Sequence, residues 1–290
     1  MSSTHLRLPI KDLAPELEGV RVAHFSDLHL SRHQSAGFLR RLAPQINGFQ
    51  PHIIAFSGDF LCHSRMRYAD RLHDFLQSLH ASHGCFAIFG NHDHDAYLSL
   101  NHEGDYDAIV QRDSSLVGGF RRLLFGCRLT GRITEAARQA RPHPELTALL
   151  DAVGFTWLVI DTQQVLIDGQ RLNVCGLGEY WAGLFHPEKA FRKWDPEAPG
   201  LVLAHNPDVF PQLQGYPGEL VLCGHTQGGQ VNLPMLWQRF VSLENLRYKR
   251  GFITESGRRL YVNRGVGAAF PMRWFSLAEI LLITLERAPP

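Results

Sequence analysis

Seven side chains able to bind metal stand at equivalent places in the chain, each just past a short apolar run. Asp27 and His29 follow residues 20–25, and Asp59 follows 53–58. Asn91 follows 85–90, His205 follows 201–204, and His225 and Gln227 follow 220–224. Four to eight apolar residues stopped by a turn signal read as a strand buried on both faces, which delivers the next polar residue at its carboxyl end. Carboxylate, amide and imidazole without thiolate suit Mn²⁺, Fe²⁺ or Zn²⁺ in a reactive site better than a structural zinc. Asp59 closes a short apolar run that stops abruptly at glycine and a carboxylate, and it is the expected centre, one carboxylate shared by two metal ions.

The elements that must position them are legible around the runs. Phe38, Leu39, Leu42, Ile46 and Phe49 recur at helical spacing before Pro51, and Tyr68, Leu72, Phe75, Leu76 and Leu79 do so before Gly84. Strand, helix, strand crossovers imply parallel strands with helices packed outside and a site at the strands' carboxyl ends. The second half is hairpin-rich: 165–167 and 171–177 flank Asp168-Gly169. Further strands are expected at 201–204, 220–223, 230–233, 251–254, 260–263 and 278–285. The expected fold class is α/β (α+β), a four-layer α-β-β-α sandwich of two mixed sheets flanked by helices. A single domain is expected over 1–290, with residues 94–144 inserted as a helical lid. Between Gly119 and Arg141, Arg121, Arg122, Arg128, Arg132, Arg138 and Arg141 stand against Glu135 alone, interleaved with Phe120, Leu123, Leu124, Phe125 and Leu129. Such a run is ordinarily a solvated face; its sharper reading is a lid whose apolar side grips lipid while the arginines meet anionic headgroups.

Composition removes several classes. A formal charge of +1 on 290 residues disfavours nucleic-acid binding through bulk charge. Five cysteines, odd in number and unpaired in spacing, fit reduced thiols and a cytoplasmic setting. No run reaches the ~20 apolar residues of a membrane span.

Asp27-Leu28-His29, Gly58-Asp59, Gly90-Asn91-His92-Asp93, His205-Asn206-Pro207 and Gly224-His225-Thr226-Gln227-Gly228-Gly229 together resemble the ordered motifs of calcineurin-like metallophosphoesterases. The tail of the last motif and Tyr261-Val262-Asn263-Arg264-Gly265 resemble a bacterial, often membrane-associated branch of that superfamily. Its members include phosphodiesterases and enzymes that cleave UDP-2,3-diacylglucosamine in lipid A synthesis. The resemblance implies one metal on Asp27 and His29, a second on Asn91, His205 and His225, and Asp59 between them. Manganese is the first expectation, iron(II) or zinc the alternatives. A second histidine of the family's last motif is replaced by Gln227, which leaves three readings: Gln227 ligates through oxygen, water takes the missing ligand's place, or the first metal is lost; a hydrogen-bonding side chain that touches no metal is the plainer alternative.

His92 is the expected group for stabilising charge on phosphorus or protonating the leaving oxygen, with Asp93 orienting it. Asn91, Arg264 and Arg273 are candidate substrate contacts. Two divalent ions, about +4 in charge, outweigh the Asp27 and Asp59 carboxylates and attract phosphoryl oxygens. The implied function is a dinuclear phosphohydrolase of a phosphodiester or pyrophosphate, with UDP-2,3-diacylglucosamine as the specific expectation. The implied setting is the cytoplasm, at the inner-membrane surface through 118–141. The alternatives are a phosphomonoesterase or nuclease on the same fold, or a metal-poor binding module degraded at Gln227.

Overall fold

The computed structural model describes residues 1–109, 129–229, 237–268 and 273–289. Its strands in chain order are β1 (Ser2–Ile10), β2 (Arg21–Phe25), β3 (Ile53–Ser57), β4 (Cys85–Ile88), β5 (Tyr97–Leu100), β6 (Tyr106–Ile109), β7 (Phe155–Trp157), β8 (Asp161–Ile167), β9 (Gln170–Gly176), β10 (Gly200–Leu203), β11 (Leu220–Cys223), β12 (Gly251–Glu255), β13 (Arg258–Val262) and β14 (Glu279–Arg287). They form two six-stranded sheets, ordered β1-β14-β2-β3-β4-β7 and β12-β13-β11-β10-β9-β8, and a separate β5-β6 hairpin.

Within the first sheet β2, β3, β4 and β7 are parallel, and β14 runs antiparallel to β2. In the second sheet β9, β10, β11 and β13 are parallel, with β8 and β12 antiparallel at the edges. Parallel pairing sends every chemistry-bearing strand end to one edge of its sheet.

Alternation sorts the core. Val22, Ile53, Ala55, Ile88 and Ile283 of the first sheet meet Val174, Leu201, Leu203, Leu220 and Leu222 of the second in one buried cluster. Each such side chain contributes roughly 1.5–3 kcal/mol by leaving water. The outer face of the first sheet is covered by helix α1 (Ala36–Asn47), helix α2 (Ala69–Gln77) and the helix Pro144–Ala152, through Leu39, Leu42, Ile46, Leu72, Phe75, Leu76, Leu146 and Leu150. Helix α1 starts where Ser35 Oγ accepts the Phe38 amide at 3.1 Å, a side-chain N-cap.

The fourth layer is present and is built from short helical segments. Outside the second sheet lie the single turn Pro187–Ala190 and 3₁₀ segments such as Pro207–Leu213 and Leu246–Lys249. Pro207 starts the first of these segments and Pro211 sits inside it; Pro211 lacks the amide that an α-helix interior needs. Its Val209, Phe210 and Leu213 still bury the outer sheet face.

Residues 94–144 were expected to be helical. Their described part is the β5-β6 hairpin followed by one short helix, Glu135–Gln139. On β5 Leu98, Ser99 and Leu100 are buried in succession, Leu98 in a cluster with Ala137 and Ala182 and Leu100 in one with Tyr106 and Trp181. The arginine-rich stretch 110–128 and the strand expected at 230–233 lie outside the described residues. The hairpin reaches back to the main body: the ring of Tyr106 stacks on Trp181 at 4.9 Å.

Candidate metal centre

The two sheets present their strand ends to each other. His205 Nδ1, just past β10, donates to the Ser57 carbonyl at the end of β3 at 2.7 Å, and Asn263 Nδ2, past β13, donates to His24 O at 3.3 Å. The loops after β2 and β3 stay paired beyond the strands, with His29 N to Asp59 O at 3.0 Å. Asp27, His29, Asp59, His225 and Gln227 all have left-handed backbones, φ between 44° and 69°. That region is uncommon for side-chain-bearing residues and costs of order 1–3 kcal/mol each, the kind of strain that gathers at functional sites. Gly58 and Gly90 make room for the closeness: a Cβ on Gly90 would lie 2.3 Å from Asp59 Oδ1, and one on Gly58 2.7 Å from His205 Nδ1.

All seven expected ligands come together, most of them in direct contact. Asp59 Oδ2 is 3.2 Å from His205 Nε2 and 3.4 Å from His29 Nε2, and His29 Nε2 is 3.6 Å from Asp27 Oδ1. On the other side Asn91 Oδ1 is 3.2 Å from His205 Nε2 and 3.1 Å from His225 Nδ1, and those two nitrogens are 3.3 Å apart.

On Asn91, His205 and His225 the outward atoms are anchored so that acceptors face inward. Asn91 Nδ2 donates to Leu98 O at 3.0 Å, His205 Nδ1 donates to Ser57 O, and His225 Nε2 donates to Ser242 O at 3.3 Å. A histidine whose far nitrogen holds the proton presents a bare lone pair at the near one, which is how ligand histidines are fixed by their surroundings. Oxygen and nitrogen lone pairs at about 3 Å repel unless a cation sits among them.

Electrostatics give the same result. Burial pushes the Asp59 carboxyl up, yet His205, His92 and His29 outweigh it and hold the group well below the usual carboxylate range. Burial depresses His205, but Asp59 outweighs that and raises its pKa well above the ordinary value. A proton on His205 and a metal ion would therefore compete for the same nitrogen. Burial drives His225 down to about 4, leaving it neutral as a ligand must be. The donors present therefore fit a dinuclear centre, with Asp27 and His29 for one ion, Asn91, His205 and His225 for the other, and Asp59 able to serve both.

Gln227 is buried with its amide 2.7 Å from His29 Nε2. With nitrogen inward the amide caps the His29 lone pair; turned over, its oxygen adds a ligand beside it. Imidazole binds these metals more strongly than an amide, so Gln227→His is expected to tighten the first ion by about tenfold, a change on the scale of removing or adding one supporting group. Competition of Mn²⁺ against a calibrated chelator measures it, and unchanged affinity would place the Gln227 side chain off the metal.

His92 also lies within ligand distance of His29 and Asp59, but its Nδ1 accepts the His63 amide at 2.9 Å. Its remaining nitrogen then carries the proton and is a donor. Burial lowers the His92 pKa well below the ordinary value, keeping the ring neutral. Asp93 was expected to orient His92 and instead holds backbone. Its carboxylate accepts from Asp59 N at 2.6 Å, Leu61 N at 2.9 Å and Gly90 N at 3.0 Å, fixing the loops that carry Asp59 and Asn91.

The arginine expectation meets a structural pairing. Arg264 Nε and Nη2 grip the Glu279 carboxylate at 3.1 Å, and Arg273 donates to the carbonyls of Gly267, Arg264 and Ser276. A carboxylate brought from β14 and carbonyls of the same turn take the donors that phosphate would need. Burial first, then Asp59, pushes the Cys62 thiol up to about 11, which favours the protonated thiol.

Two residues of the site escaped sequence reading. Glu179 follows β9 as Gly176-Leu177-Gly178-Glu179, the same strand-end signal that marks the ligands. It is buried, its Oε1 accepts Trp181 N at 3.1 Å, and burial pushes its carboxyl up to about 7 against the pull of His205. Trp181 packs edge-on against His225 at 4.7 Å, and no spacing rule would have marked it.

Comparison with known proteins agrees. The calcineurin-like phosphoesterase family model matches residues 20–229, a span from the first buried strand to the end of the last ligand motif. UDP-2,3-diacylglucosamine pyrophosphatase LpxG of Chlamydia trachomatis serovar D is 36% identical over 282 residues, 92% of this chain and 84% of that one. LpxG of Chlamydia muridarum is 33% identical, covering 96% and 86%. Phosphodiesterase YaeI of Escherichia coli K12 is 26% identical, covering 91% and 82%. Family match and geometry lead to one statement: this chain belongs to the calcineurin-like phosphoesterases and is a metal-dependent phosphoester hydrolase.

Proposed function

We propose that the substrate is a nucleotide-linked, acylated sugar of the UDP-2,3-diacylglucosamine type, cleaved by water at its pyrophosphate. The observation that carries this is the likeness to the two LpxG proteins along nearly the whole chain, at higher identity than to the phosphodiesterase. When bound, a pair of divalent ions, manganese first and iron(II) or zinc next, supplies Lewis acidity toward phosphoryl oxygens and an acidified water.

The chain's own residues orient and shield. Asp59 keeps the two halves of the site in register. His92, neutral and with its proton on the inner nitrogen, donates a hydrogen bond to charge growing on phosphoryl oxygen, which favours charge stabilisation over proton transfer for this ring. Tyr97 of the inserted hairpin packs on His92 at 4.9 Å and Tyr106 stacks on Trp181, so the described β5-β6 hairpin walls one side of the centre, which supports a covering role for the insertion. Among the described residues no helix is long and apolar enough to cross a membrane. The proposed setting is cytoplasmic, at the inner-membrane surface, with 118–141 in contact with lipid and no nucleic-acid partner.

The test compares UDP-2,3-diacylglucosamine with bis(p-nitrophenyl) phosphate and p-nitrophenyl phosphate under Mn²⁺. The kcat/KM for the lipid nucleotide, with release of UMP, is expected to exceed that for the generic diester by at least about a hundredfold, since remote contacts act on turnover. Preference for the monoester or for a nucleic acid would overturn the substrate. A protein that takes up no metal from Mn²⁺ and turns over no ester would return the binding-module reading.

A further inference from the structure

Beside the metal centre lies a turn that holds large apolar groups in water. Trp274 is 50% exposed, Phe275 75% and Leu277 62%, three apolar side chains within four residues. Single exposed hydrophobics are ordinary, whereas a contiguous group marks a contact surface. The backbone fixes them there. Ser276, between them, is buried and donates Oγ to the Gln227 carbonyl at 2.7 Å, and Arg273 ahead of them donates to three carbonyls of the same region. Phe275 has φ 56°, a left-handed backbone that a bulky side chain adopts only where the surroundings impose it.

Cations border this group. Arg250 is exposed and its Nη1 reaches the Phe275 carbonyl at 3.5 Å. Arg247 is exposed too, with Glu255 at 3.4 Å as its counter-ion, and Lys249 lies over the Trp237 ring at 3.5 Å. Tryptophan, phenylalanine and leucine edged by arginine are the composition of an interfacial element: the rings enter the headgroup boundary and the cations meet lipid phosphate.

We propose that Trp274, Phe275 and Leu277 dock this protein on the surface of an anionic phospholipid bilayer, with Arg250 beside them on the headgroups. This surface lies next to the site. The Ser276 to Gln227 bond joins the docking turn to the loop that carries the last metal-site residues. An amphiphilic ester could pass from bilayer to metal centre without leaving the interface. Docking itself is independent of which ester is cleaved.

The test is flotation of the full, metal-loaded chain with phosphatidylglycerol/phosphatidylethanolamine vesicles and, separately, with phosphatidylcholine vesicles, no substrate lipid being present. Binding to the anionic vesicles is expected to exceed binding to the neutral ones by at least about tenfold. Combining Trp274→Ser, Phe275→Ser and Leu277→Ser is expected to lower anionic binding by about tenfold or more while hydrolysis of a soluble diester stays within about twofold. Arg250→Glu, an exposed change that leaves the turn's apolar groups in place, is expected to weaken anionic binding alone. Unchanged flotation of both variants would overturn the proposal. So would a parent chain that binds neither vesicle, or a concentration-dependent dimer that the triple variant abolishes, since a second copy would then be what covers the turn. A parent that floats but leaves every phosphate ester intact would sink the proposed function and spare the docking surface.

Discussion

Asp59→Asn is expected to abolish turnover while leaving the fold intact. The substitution is nearly isosteric, and an amide oxygen still accepts the His92 backbone N–H that Asp59 Oδ1 takes at 2.9 Å. What is lost is the negative charge facing both His29 and His205. Because one carboxylate serves both halves of the site, the two ions weaken together, and kcat falls by about 10³-fold or more, beyond the effect of a single hydrogen bond. Metal content after desalting, read beside circular dichroism, separates this from unfolding. Two retained ions with no activity would mean that Asp59 acts on the reaction and not on the metals.

His92→Ala is expected to lower kcat by about 10²- to 10³-fold with metal content unchanged, the scale for removing one pre-aimed donor at developing charge. The reasoning rests on the tautomer: the His63 amide occupies Nδ1, so the free nitrogen is a donor and not a ligand. His92→Gln supplies an amide donor in place of the ring and is expected to recover part of the loss. A proton-transferring histidine would not be rescued by an amide. Metal loss in His92→Ala would instead make the ring a ligand.

Much of this was readable before any coordinates, for a physical reason. A strand buried on both faces has no place for Asp, His or Asn within it, so the residue that ends the apolar run must be the one the fold exposes to its neighbours' tips. That rule found Asp27, His29, Asp59, Asn91, His205 and His225, and it would have found Glu179 had it been applied to β9. What it could not reach are facts created by tertiary pairing. Arg264 looked free for phosphate because Glu279 stands on β14, a strand that the sequence does not place beside it. Asp93 looked like a side-chain partner of His92, yet the tight turn after β4 aims its carboxylate at three backbone amides. The left-handed backbones of Asp27, His29 and Asp59 are likewise imposed by the convergence of loops and carry no local signature. The hairpin at 97–109 was missed because its strands, Tyr97-Leu98-Ser99-Leu100 and Tyr106-Asp107-Ala108-Ile109, are neither unbroken apolar runs like β10 and β11 nor alternating in burial.

The central claim is that two cations share Asp59. Crystals grown with Mn²⁺ and measured above and below its absorption edge test it directly. Two anomalous peaks roughly 3.5–4 Å apart are expected, with Asp59 within bonding distance of both, His29 on one and His225 on the other. A single peak, or a pair of peaks that Asp59 does not touch, would contradict the account.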